Sequence, residues 1–252
     1  MKTSTEHALA KVPEVTLGFW LIKIAATTLG ETGGDAVSMS MNLGYLVGTA
    51  IFAAIFLAAV VAQVKAKDFH PFLYWTTIIA TTTVGTTLAD FADRSLGIGY
   101  AGGSSLLLAL LLGSLFVWHR TLGSVSVSTV SSPKAEAFYW LTIMFSQTLG
   151  TALGDWTADT AGLGYTGAAA VFGGLLALVV AAYYWTSVSR TLLFWAAFIL
   201  TRPLGAVVGD FLDKPVSAGG LALSRYSASA ALLTFIVVAI LLFRQRAART
   251  AH

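Results

Sequence analysis

Eight long apolar runs, separated by short polar stretches, follow one another along this chain of 252 residues. A helix needs about 20 mostly apolar residues to cross a bilayer, so each run has the length of a membrane span. Charged residues make up 11% of the chain, far below the share in a soluble domain, and the apolar runs are too long and continuous for barrel strands. The sequence therefore predicts an all-α, polytopic membrane protein with eight transmembrane helices. We expect these spans at about 17–37, 43–63, 71–92, 98–118, 136–157, 163–185, 191–212 and 219–243.

A motif recurs four times without gaps: an aromatic-Trp pair, a Gly ten residues after the Trp, and an Asp five residues after that Gly. The Trp residues are spaced by 55, 65 and 55 positions, which indicates two similar halves joined by a longer linker at about 121–133. The copies start at Phe19-Trp20, Tyr74-Trp75, Tyr139-Trp140 and Phe194-Trp195. We therefore expect a single membrane domain over 1–252, with two-helix repeats at about 17–66, 71–120, 136–187 and 191–243.

The direction of the repeats follows from their helix count. Each repeat holds two helices, so all four copies enter the membrane the same way, and the four Asp-bearing helix ends share one side. Cationic residues are concentrated on the other side, which by the positive-inside rule predicts cytoplasmic termini in a bacterial inner membrane. The cytoplasmic set is Lys2, Lys11, Lys65, Lys67, Arg120, Lys134, Arg190, Arg244, Arg246 and Arg249, against Arg94, Lys214 and Arg225 on the opposite side.

Eight of the twelve acidic residues lie on the odd-numbered helices, in pairs three or four positions apart. A charge near the bilayer centre costs about 2.5 to 3.5 kcal/mol on insertion scales, so such acids are expected to face a bundle interior, a cavity or a partner. The deeper acids are predicted to bind a metal ion: Glu31, Asp35, Asp90, Asp155 and Asp210. Three more are predicted at the outer mouth, where simple solvation explains them as well: Asp93, Asp159 and Asp213.

Two cations and an amide lie among these acids. Lys23 and Arg202 sit inside odd helices, and Gln147 occupies in the third repeat the position of Arg202 in the fourth. Either they neutralise buried carboxylates or they gate a site, and Lys23 can also snorkel to the interface.

Glycines and tryptophans have mainly structural interpretations. Small residues four positions apart precede each Asp, which predicts close helix packing, with a helix broken at the glycines as the alternative. The four Trp residues begin their helices and are expected to anchor the interface, although their faces could also bind an organic cation.

Hydroxyl side chains surround the acids, and together they give an oxygen-rich lining. Such a lining suits hard divalent cations and protons, while the absence of Cys and of His near the acids disfavours softer metals. Carboxylates removed from water bind protons more readily, which suggests exchange of a cation for protons. No catalytic triad, phosphate-binding loop or basic domain appears, so we expect no enzyme, no cofactor and no nucleic acid.

The motif residues resemble those of a known family. Phe19-Trp20, the stretch from Thr28 to Thr32 and Asp35, with their counterparts in the other copies, are similar to a bacterial family of uncharacterised membrane-anchored proteins with four two-helix repeats of unknown function. The resemblance covers nearly the whole chain and implies the membrane fold without an activity. The stretch from Glu31 to Asp35 also resembles, with one extra residue, the Glu-x-Gly-Asp motif of divalent-cation exchangers, although the other repeats lack the Glu. This likeness favours a manganese- or calcium-class ion.

These observations together predict an inner-membrane secondary transporter or exporter of a cation, such as manganese, coupled to protons. The alternatives are a transporter of a small organic cation and a structural membrane protein without transport. The expected partners are the cation, protons and the lipid bilayer, and a homodimer is left open.

Overall fold

The computed structural model describes residues 10–248, which form eight α-helices. Within these residues the one β pairing is an isolated antiparallel bridge between Pro13 and Ala247. The predicted all-helical class is confirmed, whereas Lys2 and Arg249 of the predicted cytoplasmic set lie outside the described residues. The helices are α1 (Leu17–Asp35), α2 (Tyr45–Lys65), α3 (Pro71–Asp90), α4 (Tyr100–Leu122), α5 (Pro133–Asp155), α6 (Gly164–Trp185), α7 (Arg190–Asp213) and α8 (Arg225–Leu242).

Local sequence signals explain where several helices begin and end. The Thr16 hydroxyl caps α1 by accepting a hydrogen bond of 3.2 Å from the backbone N–H of Phe19. Pro71 and Pro133 lie in the first turns of α3 and α5, where a missing N–H costs nothing. The start of α8 lies later than the predicted residue 219, because Gly219 has a φ of 86° and ends a 3₁₀ turn instead of opening a helix.

The ends of the odd helices share an unusual geometry. In α1, α3 and α5 the motif Asp is the last α-helical residue, and a five-residue π-helical turn follows directly: Ala36–Ser40, Phe91–Ser95 and Trp156–Thr160. In the fourth repeat α7 instead continues to Asp213, three residues beyond the motif Asp. The helices run unbroken through their glycines, so the broken-helix alternative is wrong. The departure from α geometry comes after the Asp, and π turns often mark functional positions.

The odd helices form an inner ring, and the even helices surround it. Helix α1 packs on α3, α3 on α5, α5 on α7, and α7 returns to α1. Outside this ring α2 packs on α3, α4 on α5, α6 on α7, and α8 on α1. Each even helix therefore packs mainly against the odd helix of the next repeat, and α8 closes the circle.

Five of the eight helices are long and apolar enough to cross a membrane: α2, α4, α6, α7 and α8. The four outer helices have few buried residues, since at most 22% of the residues in the most apolar stretch of each helix are buried. Helices α1, α3 and α5 are more polar, and they belong to the inner ring that the outer helices surround. Helix α3 alone carries seven threonines, and α1 carries Lys23, Glu31 and Asp35.

The aromatic-Trp pairs meet at the starting end of the inner ring, in what we call the aromatic layer. Each Trp packs against the aromatic residue that precedes the Trp of the neighbouring repeat. Trp75, Trp140 and Trp195 are buried, so the prediction that they anchor the membrane interface is wrong, and Trp20 alone is half-buried. The ring-centroid distances are 5.4 Å for Phe19 and Trp75, 5.7 Å for Tyr74 and Trp140, 6.3 Å for Tyr139 and Trp195, and 5.9 Å for Phe194 and Trp20.

Three chain segments, 10–16, 123–132 and 243–248, cover the aromatic layer and form the terminal cap. Lys11 donates its backbone N–H to the carbonyl of Val130 (3.0 Å), and Ala248 donates to the carbonyl of Val12 (2.8 Å). The Lys11 ammonium lies 2.7 Å from a carboxylate oxygen of Glu136. Because Val12 and Val130 are buried in the same core as the aromatic layer, this end of the ring is closed.

The motif glycines allow the inner helices to approach one another, as the sequence predicted. Each motif glycine faces one residue of the neighbouring repeat, the residue seven positions after the Trp of that repeat. A Cβ on Gly85 would lie 2.8 Å from the backbone carbonyl carbon of Gln147, too close for any real contact. The four contacts are Gly30 with Thr82, Gly85 with Gln147, Gly150 with Arg202, and Gly205 with Thr27.

Candidate cation site

One Asp from each inner helix lies at the end of the ring opposite the aromatic layer. We call these four residues, Asp35, Asp90, Asp155 and Asp210, the aspartate ring. All four are buried, because the outer helices and the segments between helices enclose this end of the bundle. The repeat thus places four carboxyl groups of different sequence origin in one layer.

Two cations join members of the aspartate ring in pairs. Arg94 lies 2.7 Å through Nε from Asp90 and 3.7 Å through Nη2 from Asp155. The ammonium of Lys214 lies 2.9 Å from Asp210 and makes a short ion pair with Asp35. Each cation follows the Asp of its own repeat by four positions and reaches the Asp of the next repeat.

Lys214 lies just beyond the end of α7 and keeps its charge. Burial by itself lowers the pKa of the ammonium group, but the carboxylates of Asp210, Asp35 and Asp213 outweigh that effect. The pKa of Lys214 is therefore raised above its ordinary value. This group acts as a fixed positive charge at physiological pH.

A second polar layer lies one helical turn before the aspartate ring. Arg202 Nη2 donates to Oε2 of Glu31 (3.0 Å) and to the hydroxyl of Thr86 (2.6 Å), and it also makes a short hydrogen bond with Thr151. Thr86 in turn donates to Oε2 of Glu31 (3.2 Å). Glu31, Thr86 and Thr151 occupy equivalent positions in three repeats. The Arg202 guanidinium group on α7 therefore contacts side chains of the three other inner helices.

The carboxyl groups converge in two places. Glu31, Asp35 and Asp90 each offer an oxygen, and these three oxygens lie within 4.8 Å of one another. Asp35, Asp210 and Asp213 form a second group by the same measure. Among the described residues Asp155 belongs to neither group. The structure therefore brings together three of the five predicted metal ligands, and Asp35 is shared by both groups.

The three acids predicted at the outer mouth differ from one another. Asp159 is exposed and Asp93 is half-buried, as solvated residues at a helix end would be. Asp213 is buried, and its Oδ2 lies 2.8 Å from Nε of Arg225, which also approaches Asp35 at 3.6 Å. The prediction of simple solvation is therefore wrong for Asp213, because α7 continues past Asp210 and carries this side chain inward.

The predicted gating residues are all buried. Lys23 lies 4.2 Å from the centre of the Phe198 ring, and its ammonium makes no hydrogen bond within the described residues, so snorkelling is wrong for this side chain. Arg202 pairs with Glu31, which fits the neutralising role. Neither side-chain polar atom of Gln147 has a hydrogen-bond partner among the described residues.

Sequence reasoning missed the cations that hold the aspartate ring. The positive-inside rule places Arg94, Lys214 and Arg225 on the side opposite the termini and does not predict their ion pairs. The spacing of four residues between Asp90 and Arg94, and between Asp210 and Lys214, was a usable signal for ion pairs on one helix. The contacts with the next repeat needed the ring arrangement, which a linear sequence does not show.

Two of the outer helices begin with a tyrosine. Tyr45 begins α2, which packs on the helix of Asp90, and Tyr100 begins α4, which packs on the helix of Asp155. These tyrosines belong to one repeat and the acids to the next. The inner helices that carry Asp90 and Asp155 are therefore each covered by the outer helix of the preceding repeat.

The first carboxylate group suits a hard cation in ligand type and in size. Oxygens on opposite sides of one ion are separated by twice the metal–oxygen distance, about 4.2 Å for Mg²⁺ and about 4.6 to 5.2 Å for Ca²⁺. The oxygens of Glu31, Asp35 and Asp90 lie within 4.8 Å of one another, a bound that falls in the Ca²⁺ range and above the Mg²⁺ value, and the Thr86 hydroxyl adds a neutral oxygen beside them. Carboxylate and hydroxyl ligands also suit Mn²⁺.

Comparison with known proteins identifies one family. The family model described as Repeat of Unknown Function (DUF347) matches the chain four times, at residues 18–69, 73–124, 138–189 and 193–248. No curated protein and no solved structure matches the chain. The four matches cover most of the sequence, and each contains one inner helix and the outer helix that follows it.

Proposed function

The chain belongs to the Repeat of Unknown Function (DUF347) family, and we propose that this member transports a hard divalent cation such as Mn²⁺ across the bacterial inner membrane. The observation that carries the proposal is the convergence of Glu31, Asp35 and Asp90, whose oxygens lie within 4.8 Å of one another. Buried acids of this kind mark ion pathways in membrane proteins.

The charge balance of the site supports a divalent substrate. Six buried carboxyl groups lie around the aspartate ring and the Glu31 layer, and four cationic side chains pair with them. Two negative charges are left over among these ten groups when all of them are ionised, while the Lys23 ammonium lies against the Phe198 ring and is not counted with them. One divalent cation or two protons would balance them, so we propose exchange of the cation for protons. The four paired cations are Arg94, Arg202, Lys214 and Arg225.

We propose that all eight helices cross the membrane as four parallel repeats around a pseudo-fourfold axis. The contacts of α1, α3 and α5 support this topology, because the outer helices shield their polar side chains from lipid. The terminal cap then lies on the cytoplasmic side, since most cationic residues of the chain flank that end. The aspartate ring faces the opposite side.

Transport through this bundle requires the aromatic end to open. In this conformation the aromatic layer and the terminal cap close that end, whereas the aspartate ring is bounded by Arg94 and Arg225, whose side chains are 36% and 21% exposed. A rocking motion of 1–120 against 134–252 would separate α4 from α5 and α8 from α1. We therefore propose moving units that keep these pairs together, with α8, α1, α2 and α3 in one and α4 to α7 in the other.

An inorganic ion suits the site better than an organic cation does. An organic cation would be held through exposed aromatic faces. The rings of Trp75, Trp140 and Trp195 are instead buried against their neighbours. The carboxylate group also lies at the other end of the inner helices.

The proposal is tested with purified protein in liposomes that hold a Mn²⁺-sensitive dye and a pH-sensitive dye. We expect Mn²⁺ entry that depends on the protein and is accompanied by proton movement in the opposite direction. Tetraethylammonium added in excess should leave Mn²⁺ entry unchanged. Absence of Mn²⁺ movement above that of protein-free liposomes would support the non-transporting, structural alternative, and inhibition by the organic cation would support the organic-cation alternative.

A further inference from the structure

The aspartate ring has four gaps, one between each pair of neighbouring inner helices, and cations fill two of them. Arg94 spans Asp90 on α3 and Asp155 on α5, and Lys214 spans Asp210 on α7 and Asp35 on α1. The filled gaps therefore lie opposite one another across the ring.

The unfilled gaps follow from the register of the repeats. Arg94 and Lys214 lie four residues after the ring Asp of the second and fourth repeats. At the same position the first repeat has Met39 and the third has Asp159. Met39 belongs to the π-helical turn that follows Asp35, just as Arg94 belongs to the turn that follows Asp90. The residue four positions after Asp35 therefore places no cationic side chain in the gap between α1 and α3.

The gap between α1 and α3 is where the carboxyl groups of Glu31, Asp35 and Asp90 converge. Each of the three acids has a cation on another side: Arg202 at Glu31, Lys214 and Arg225 at Asp35, and Arg94 at Asp90. The buried Oδ1 of Asp35 nevertheless accepts no hydrogen bond within the described residues. An acceptor in this position is costly unless a cation or a proton satisfies it.

The opposite gap, between α5 and α7, offers fewer ligands. It contains Asp155 and Asp210, but the third repeat has Thr151 at the position where the first has Glu31. Among the described residues, three carboxyl groups therefore converge without a tethered cation between their ring acids only at the gap between α1 and α3, since Lys214 fills the gap beside Asp35, Asp210 and Asp213.

We propose that Arg94 and Lys214 are specificity-determining residues, tethered cations that fill two gaps of the aspartate ring and leave the gap between α1 and α3 for a single divalent cation. This inference rests on the proposed function. It adds that a cationic residue four positions after a ring Asp keeps a mobile ion out of that gap, and that an open gap binds the ion where a third carboxylate, Glu31, is also present.

The test supplies the missing tethered cation. Met39→Lys places an ammonium group in the first repeat where the fourth carries Lys214, and it removes no carboxylate. We expect Mn²⁺ affinity in detergent, measured by equilibrium dialysis, to fall by at least about 100-fold, because the added charge lies where the ion binds. The same variant should unfold at a higher temperature than the wild type in metal-free buffer, since it neutralises the excess acid.

Two matched variants locate the effect. Met39→Gln changes the size and polarity of the side chain without adding charge. Asp159→Lys replaces an exposed carboxylate with an ammonium at the equivalent position beside the opposite gap, which changes the net charge by two where Met39→Lys changes it by one. Both should bind one Mn²⁺ within about threefold of the wild-type affinity, an effect of less than 1 kcal/mol. Equal loss of binding in Met39→Lys and Asp159→Lys would overturn the inference, as would undiminished binding in Met39→Lys.

The outcomes separate the two proposals. Wild-type protein that binds one Mn²⁺, together with a Met39→Lys variant that still binds it, refutes the tethered-cation inference alone. Wild-type protein without Mn²⁺ binding refutes the proposed function and the inference together. Loss of binding with raised thermal stability in Met39→Lys supports both.

Discussion

Arg202 on α7 and Glu31 on α1 form a buried ion pair, with 3.0 Å between Nη2 and Oε2. Because the same nitrogen also binds the hydroxyls of Thr86 and Thr151, it joins all four inner helices one turn before the aspartate ring. A buried pair of this kind contributes little net stability compared with apolar residues, but removal of one partner leaves an uncompensated charge. The pair therefore fixes the arrangement of the helices that carry the proposed cation site.

Arg202→Gln should lower the thermal stability of the protein in detergent. The change leaves Glu31 buried without its cation, at a cost of about 3 to 5 kcal/mol. Gln is a conservative choice because Gln147 already occupies the equivalent position in the third repeat. Thermal unfolding followed by circular dichroism measures the effect.

The double variant Arg202→Gln with Glu31→Gln is the control for this pair. We expect it to be more stable than Arg202→Gln alone, because the uncompensated carboxylate is then absent. Destabilisation equal to the sum of the two single changes would mean that the residues act independently.

The sequence was sufficient to predict the helical membrane class, the four repeats and the gathering of the deeper acids. These features follow from periodic spacing. The equal spacing from the Trp to the Asp in each repeat was enough to predict that Asp35, Asp90, Asp155 and Asp210 lie in one layer. The burial of Trp75 was missed because a Trp at the start of an apolar run has the same sequence pattern whether it faces lipid or a neighbouring repeat.

Contacts between repeats account for the other differences. Arg94 pairs with Asp90 at a spacing visible in the sequence, but its contact with Asp155 depends on the order of helices around the ring. Asp213 likewise becomes buried because α7 lacks the π-helical turn that follows the other ring acids. Neither feature has a signal in a single linear repeat.

Gly85→Ala should destabilise the inner ring. An added Cβ would lie 2.8 Å from the backbone of Gln147, which cannot rotate away as a side chain could. We expect a loss of about 1 to 3 kcal/mol, typical of overpacking, and a lower midpoint of thermal unfolding. Gly113→Ala on the outer helix α4 is the matched control, since a Cβ there meets nothing within 4 Å. Equal behaviour of the two variants would contradict the close packing of α3 on α5.

A disulfide between the two terminal segments of the cap should leave transport intact. Pro13 and Ala247 are paired with flanking backbone hydrogen bonds on both sides, a geometry with a Cα separation of about 4.5 Å that a disulfide can span. The chain has no Cys of its own, so Pro13→Cys with Ala247→Cys gives one defined cross-link. We expect oxidation to leave Mn²⁺ flux in liposomes unchanged, because residue 13 leads into α1 and residue 247 follows α8, and both helices belong to one proposed moving unit.

The two single-cysteine variants control for oxidation itself and should transport under both conditions. Loss of flux on oxidation, restored by a reductant, would show that the segments 10–16 and 243–248 separate during transport, and the proposed moving units would then be wrong.

The pH dependence of Mn²⁺ binding should be unchanged in Lys214→Arg. The pKa of Lys214 is already raised above its ordinary value, so the ammonium stays charged from acidic to neutral pH and contributes no titration there. Binding should weaken as the pH falls in both proteins, because protons compete with the cation for carboxylates. A binding midpoint that differs between the two proteins would show that Lys214 itself exchanges a proton.

The most direct measurement compares Mn²⁺ transport by Asp90→Asn and Asp93→Asn in liposomes at equal protein content. The two acids lie three residues apart, but only Asp90 belongs to the group with Glu31 and Asp35. Loss of even an outer-shell group costs a metal site roughly 10- to 100-fold, so we expect Asp90→Asn to lower Mn²⁺ transport by at least about tenfold and Asp93→Asn to leave it near the wild-type rate. Wild-type transport by Asp90→Asn would contradict the assignment of the cation site.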